Sequence, residues 1–114
     1  MTIEELIARL EAATGPCREL DVALFAFVGL SDLQERHCAQ WVTNNKDHGI
    51  TRDHYLFAWA PSYTDSIDAA LTLVPDDHGW MVMGTAAKCG AYAANGATPA
   101  IALCIAALKA REKK

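Results

Sequence analysis

Residues 54–60 read HYLFAWA, and this stretch decides the predicted fold. In a β-strand, alternate side chains point to opposite faces, so the three aromatic residues would share one face, with Leu56 and the two alanines on the other. Both faces are apolar, which is typical of a strand that is covered on both sides. The stretch therefore predicts a sheet held between two layers of helices.

Three further strands are predicted around this one. Residues 38–43 read CAQWVT and predict a neighbouring strand, which turn-forming residues follow up to Gly49. Residues 80–85 and 88–93 predict two short strands joined by a tight turn, as in a hairpin. Together with the strand at 54–60 they predict a four-stranded antiparallel sheet.

Two helices are predicted before the sheet begins. Thr2 and Glu5 have the spacing of a capping box, and an apolar face at i, i+3, i+4 and i+7 follows them. Gly15 and Pro16 end this helix, and a second amphipathic helix runs on to Gly29. The N-terminal part of the chain therefore predicts a helical hairpin.

Two more helices complete the predicted order. One lies at 67–74, after Pro61 closes the strand and polar residues offer an N-cap, and Pro75 ends it. Another begins with Thr98 as cap and Pro99 in its first turn. The predicted fold is α+β, a three-layer α/β/α sandwich in the order ααββαββα, in a single domain spanning residues 1–114.

Composition limits the classes of function. The chain has 114 residues, 52% of them hydrophobic, and a formal net charge of −4 with scattered basic residues. This balance predicts no nucleic-acid polymer as partner. No apolar run approaches the roughly 20 residues that cross a bilayer, and the N-terminus lacks the pattern of a secretory signal. We expect a cytoplasmic protein with no membrane partner.

The sequence offers no positive signal for catalysis, metal binding or a cofactor. It lacks a Gly-rich phosphate loop, a GxSxG elbow and an HExxH motif. Its four cysteines form no CxxC pair, so buried thiols are expected in preference to ligands or redox groups, and its four histidines match no recurring metal spacing. The prediction is a binding protein that is not an enzyme, with no cofactor, no metal and no catalytic residues.

The corner between the strand at 54–60 and the helix at 67–74 is rich in polar and aromatic residues. A helix N-terminus leaves backbone N–H groups free for a phosphate, and aromatic rings beside it could stack a base. The alternative is that Thr64 or Asp65 only caps the helix while the aromatic residues fill the core. Spacing alone leaves both interpretations open.

Three segments of the chain resemble the phage ABA-sandwich family, small proteins of phages and prophages. They are LIARLEAATGP at residues 6–16, YTDSIDAA at 63–70 with the following residues to Pro75, and TPAIALCIAALKA at 98–110. The combination covers nearly half of the chain, whereas residues 31–53 carry no resemblance.

The resemblance implies a phage anti-defence protein that captures a cyclic nucleotide immune signal without turnover, as sponge proteins of the CBASS and Thoeris systems do. The ligand would be a cyclic dinucleotide such as cGAMP or a cyclic ADP-ribose isomer, and a homodimer or larger symmetric oligomer would enlarge the pocket. The alternatives are a protein-interaction module that inhibits a host defence protein, a small structural phage protein, and a hydrolase of the same signals. The residues expected at the ligand site are Trp41, Arg52, Trp59, Tyr63, Thr64, Asp65, Ser66, Lys88 and Tyr92.

Overall fold

The computed structural model describes residues 2–75 and 78–112, which form an α+β fold with six α-helices and one three-stranded antiparallel sheet. A 3₁₀ turn, Lys46–His48, lies between the third and fourth helices. The helices are α1 (Ile3–Ala12), α2 (Arg18–Val28), α3 (Asp32–Asn44), α4 (Arg52–Trp59), α5 (Ile67–Leu71) and α6 (Pro99–Glu112), and the strands are β1 (Trp80–Met83), β2 (Ala86–Cys89) and β3 (Tyr92–Asn95).

The predicted helix ends at Thr2, Gly29 and Thr98 are confirmed. The Thr2 hydroxyl accepts from the Glu5 N–H at 3.2 Å, and the Thr98 hydroxyl accepts from the Ile101 N–H at 3.0 Å. Gly29 follows α2 with φ = 80°, a conformation that glycine adopts without steric cost. α1 packs against α2, as the predicted helical hairpin requires.

Helix α6 is the centre of the core. Every side chain from Ala100 to Leu108 is buried, because the sheet packs against one side of this helix and α1 and α5 pack against others. A helix that is apolar all round belongs inside a protein. This stretch of α6 therefore has no solvent-exposed face.

The predicted four-stranded sheet is wrong, since the sheet contains three strands in the order β1-β2-β3. Two turns of the Gly-X type build it: Gly84-Thr85 joins β1 to β2, and Gly90-Ala91 joins β2 to β3. Each glycine has a positive φ, 58° and 59°, as the first central position of a type II′ turn requires. These glycines divide residues 80–95 into three strands where the sequence reading had two.

The predicted strands at 38–43 and 54–60 are also wrong, because both stretches lie in helices. Ser31 and Gln34 form a capping box that starts α3, with the Ser31 N–H donating to Gln34 Oε1 at 2.8 Å. In α4, Tyr55 and Trp59 are four residues apart and share one face, whereas Phe57 points elsewhere and is 57% exposed. The aromatic stripe thus follows helical periodicity.

The predicted three layers are wrong as well, since helix packing covers one face of the sheet. Ala87, Cys89 and Ala94 are buried on the face toward α6. On the opposite face, Met81, Met83 and Lys88 are exposed. The two segments that were predicted as further strands instead form a separate pair of helices, α3 and α4, and α4 packs against α2.

Gly96 provides a test of the contact between the sheet and α6. A Cβ built at Gly96 would lie 2.7 Å from the Ala102 backbone nitrogen, which has no room to move inside a buried helix. We expect Gly96→Ala to lower the free energy of unfolding by about 1–3 kcal/mol, measured by urea denaturation. Gly79→Ala is the matched control, because nothing lies within 4 Å of its added Cβ. Equal stabilities of the two variants would contradict this packing.

Candidate functional site

Three of the nine expected ligand-site residues come together on the pair formed by α3 and α4, which we call the α3–α4 pair (residues 32–59). Trp41 lies on α3, and Arg52 and Trp59 lie on α4. The other six lie at the connection from α4 to α5, on the outer face of the sheet, or beside α1 and α6. Within one chain the nine residues therefore do not form one site.

An aromatic cluster holds α3 against α4. The His37 Nδ1 lies 3.0 Å from the Tyr55 hydroxyl, and the His37 ring meets the Trp59 ring edge-to-face at 4.7 Å. Trp41 packs edge-to-face on Tyr55 at 5.8 Å, and Trp59 stacks on Tyr55 at 6.0 Å. Such pairs add about 0.5–1.5 kcal/mol each beyond their burial. The cluster fixes the position of Trp59.

Tyr55 is the buried member of the aromatic cluster, whereas Trp59 remains 49% exposed. Loss of solvation is the main cause that raises the pKa of the Tyr55 hydroxyl, and Coulombic interactions with Cys38 and Glu35 act in the same direction. Tyr55 therefore stays a neutral phenol that can exchange a hydrogen bond with His37. Neither His37 nor Tyr55 was among the nine residues expected at the ligand site, although the spacings His37–Trp41 and Tyr55–Trp59 are both i, i+4.

The guanidinium of Arg52 is engaged within the α3–α4 pair. Its two terminal nitrogens each donate to a Glu35 carboxylate oxygen at 2.8 Å. These hydrogen bonds lower the pKa of Glu35 and raise the pKa of Arg52. Both side chains are about half exposed, so the pair contributes little to stability, but it neutralises the charge that was expected to hold a phosphate.

Phe57 and Arg18 meet beside the end of α4. The Arg18 Cζ lies 6.0 Å from the centre of the Phe57 ring, at the outer limit of a cation–π contact. Arg18 Nη2 donates to the Phe57 carbonyl at 2.9 Å, and Nη1 donates to Asp21 Oδ2 at 3.3 Å. Arg18 thus binds the C-terminus of α4 to α2, and its charge is offset by Asp21.

The predicted phosphate corner is filled by the chain's own groups. Thr64 is fully buried, and its N–H donates to Asp21 Oδ1 at 2.8 Å. Its hydroxyl lies 2.9 Å from the same oxygen and accepts from the Cys17 N–H at 2.8 Å. The Thr98 hydroxyl donates to the Thr64 carbonyl at 3.0 Å. This network, which we call the Thr64 node, ties the corner to α2 and α6.

The other corner residues match the alternative of a capped helix and a filled core. The Ser66 hydroxyl accepts from the Ala69 N–H at 3.3 Å and caps α5. Tyr63 is buried, and its carbonyl accepts from the Cys104 thiol at 3.3 Å. Asp65 is exposed. α5 has only five residues, so its N-terminus has a small dipole.

Lys88 and Tyr92 lie on strands of the sheet and do not belong to the aromatic cluster. Lys88 is on the outer face of β2, opposite Met81 of β1 and Ala93 of β3. Tyr92 is half-buried at a groove of about 340 Å³ that Ile7 and Lys109 also line. These two residues belong to two different surfaces.

Because Cys104 and Tyr63 are buried, the stability of the fold is expected to fall as pH rises in the alkaline range. Loss of solvation raises the pKa of the Cys104 thiol to about 12, and burial raises the pKa of Tyr63. A pKa raised by folding adds stability that is complete below the unfolded pKa and declines as pH rises toward the folded one. We expect Cys104 to remove up to about 1.4 kcal/mol per pH unit above its ordinary pKa of 9.0, and Tyr63 to add to the decline above its ordinary pKa of 10.0. Urea denaturation at several pH values should show that the free energy of unfolding falls less steeply with pH for Cys104→Ala than for the wild type. Equal slopes for the two proteins would contradict a role of Cys104.

A groove of about 490 Å³ lies at the connection between α1 and α2. The end of the segment at 6–16 forms one side of it, with Arg9 and Thr14 in the lining, and Glu19 and Leu20 of α2 line the other side. Its volume is within the range of small-ligand sites, about 300–1,000 Å³. Arg9 had not been singled out from the sequence, because it is one of several exposed charges on an amphipathic helix.

Comparison of the chain with protein-family models, curated proteins and solved structures finds no match. The resemblance to the phage ABA-sandwich family therefore stays a prediction. Within the described residues, no helix is long and apolar enough to span a bilayer. Nor do any three His, Cys, Asp or Glu side chains in residues 2–75 and 78–112 lie together as a potential metal site.

Proposed function

We propose that this chain is a binding module that docks a protein partner, without chemical turnover, through the end of α4. The contact surface consists of the exposed rings of Phe57 and Trp59, which we call the α4 aromatic surface. Because the two residues are only two positions apart, their rings project from different sides of the last turn of α4, so the partner would enclose the end of the helix. The cluster of His37, Trp41 and Tyr55 holds Trp59 in place, so little side-chain entropy remains to be lost on binding.

One observation carries this proposal. Two large rings are about half exposed, 57% for Phe57 and 49% for Trp59, while Arg18 beside Phe57 and Arg52 at the start of α4 are each engaged within the chain. Arg18 is bound to Asp21 and to backbone carbonyls, and Arg52 is bound to Glu35. A phosphate bound by either arginine would have to break that pair, whereas an apolar protein surface would not. The partner's complementary surface is therefore apolar and uncharged at its centre.

Trp and Arg are enriched among the residues that dominate protein interfaces, and aromatic side chains are common there. If the family resemblance holds, the partner is a host defence protein that the module inhibits, which is the phage anti-defence role in its protein-binding form. The module would act stoichiometrically, because inhibition by docking consumes one module for each partner.

The test is to capture a partner and then reconstitute the complex from pure components. The wild-type chain and a Phe57→Ala/Trp59→Ala double variant are used as baits, and any protein retained by the wild type alone is then purified. We expect a 1:1 complex by calorimetry, with both proteins recovered chemically unaltered. A purified complex that forms equally well with the double variant would refute the proposal, as would the absence of any protein that discriminates between the two baits.

A second candidate function is the capture of a cyclic nucleotide, which the family resemblance implies. The observation that favours it is the groove of about 490 Å³ beside the segment at 6–16, with Arg9 in its lining. Calorimetry against cyclic dinucleotides and cyclic ADP-ribose isomers tests it, with Arg9→Ala as the site variant and the exposed Arg36→Ala as matched control. If no nucleotide binds at micromolar concentration, this candidate is abandoned. Recovery of altered nucleotide would indicate a hydrolase instead.

A further inference from the structure

β1 is one of the two outer strands of the sheet, and among the described residues no other strand pairs with its outer edge. β1 packs against β2 and α6, and Trp80 and Met83 are 51% and 73% exposed. Exposed edge strands are usually protected by charged side chains, proline or a bulge. The sequence WMVM at residues 80–83 has none of the charged residues or prolines that would do so, and its pairing with β2 is continuous.

The register of the hairpin identifies which backbone groups face this edge. Met83 and Ala86 flank a two-residue turn, so they form a hydrogen-bonded pair, as do Met81 and Lys88. The Gly90 N–H donates to the Gly79 carbonyl at 2.8 Å, which is the next pair of the same kind. The N–H and C=O groups of Trp80 and Val82 must therefore point away from β2, and within residues 2–75 and 78–112 they have no backbone partner.

We propose that two copies of the chain pair antiparallel along β1 and form a continuous six-stranded sheet. With the two-fold axis at Val82, the two Val82 residues exchange a pair of backbone hydrogen bonds, and Trp80 of one copy lies opposite the turn residue Gly84 of the other. The side chains of directly opposed residues share a face, so Met81 packs beside the partner copy's Met83 on the outer face. A two-fold axis closes the assembly at two copies.

Charge on the sheet does not oppose this pairing. The three strands contain one charged residue, Lys88, which lies on β2. In the dimer, the two copies of Lys88 would be separated by three strand spacings, about 14 Å. That distance exceeds the Debye length of about 8 Å at physiological salt, so their repulsion is largely screened. The identical apolar edge of a second copy is thus a suitable occupant.

Hydrogen exchange followed by NMR, together with sedimentation velocity, tests the pairing and its register. The interface is small, so a weak dimer is expected and the series should extend to about 500 μM. On concentration, the Val82 amide should exchange at least about tenfold more slowly, because a new hydrogen bond forms there. The Met81 amide should change little, because it already bonds to β2. A monomer throughout the series, or protection at Ala93 of the other edge and not at Val82, would overturn the proposal.

A pair of lysine variants provides the matched control. Met83 and Leu33 are 73% and 71% exposed, so either side chain can become lysine without a folding penalty from burial. Met83→Lys should raise the dissociation constant at least about tenfold, because it places a charge beside the partner's Met81. Leu33→Lys, on α3, should leave the constant unchanged. Equal effects of the two variants would refute β1 as the interface. This inference is independent of the α4 aromatic surface.

Discussion

We expect Asp21→Ala to lower the free energy of unfolding by about 3–5 kcal/mol, the largest effect on stability expected of any single substitution. The Asp21 carboxylate is buried and accepts hydrogen bonds from the Thr64 N–H, the Thr64 hydroxyl and the Arg18 guanidinium. Alanine would leave the buried Thr64 N–H without an acceptor and Arg18 without a counter-charge. Unmade hydrogen bonds to charged groups cost about 1.5–3 kcal/mol each.

Urea denaturation followed by circular dichroism measures this loss. Asp65→Ala is the matched control, because Asp65 is an exposed carboxylate one residue from Thr64 and should change stability by less than about 0.5 kcal/mol. Asp21→Asn should fall between them, because an amide oxygen still accepts from Thr64 while the charge is lost. A loss below about 1 kcal/mol for Asp21→Ala would mean that the Thr64 node does not hold the corner closed.

The second large effect concerns binding. Replacing Trp59 with alanine should weaken the affinity for the protein partner by about 2 kcal/mol or more, roughly 30-fold, because a half-exposed ring held by its neighbours is typical of an interface hot spot. Phe57→Ala should weaken it by about 1–2 kcal/mol. The effect of Phe57→Ala is easier to interpret, because the Phe57 ring lies outside the aromatic cluster. Trp59 also contacts His37 and Tyr55, so its replacement changes the cluster as well.

Two controls separate lost contacts from lost structure. His37→Ala removes the edge-to-face contact that helps to position Trp59 but keeps the Trp59 side chain itself. It should therefore weaken binding less than Trp59→Ala. Met83→Ala removes a similarly exposed apolar side chain from the sheet and should not affect binding at concentrations where the chain is monomeric. If Met83→Ala weakens binding as much as Trp59→Ala, the binding surface has been assigned to the wrong part of the molecule.

Short-range sequence signals were sufficient to predict the helices near the two ends of the chain. α1 and α6 follow from Thr2 and from the pair Thr98-Pro99, because a cap acts on residues only a few positions away. The same kind of signal was present for α3, where Ser31 and Gln34 form a capping box, but the apolar pattern around Trp41 was read with the period of a strand. Short apolar runs fit both periods, so only the caps distinguish them.

The predicted sheet and the predicted corner differ from the structure for different reasons. The Gly-X turns at Gly84 and Gly90 were visible in the sequence, and reading them as type II′ turns would have given three strands. The bond between Thr64 and Asp21 joins residues 43 positions apart, and no local pattern predicts it. For this reason the backbone N–H groups of the corner were predicted to bind a ligand, whereas the Thr64 N–H donates to the chain's own Asp21 carboxylate.

The most direct test of the account is hydrogen exchange of the chain with and without its purified protein partner, compared residue by residue. Docking through the α4 aromatic surface should slow exchange in α4 and around Phe57 and Trp59, and leave the amides of β1 and of the groove at Arg9 unchanged. Protection confined to β1 or to the groove, with α4 exchanging as in the free protein, would contradict the proposed binding surface.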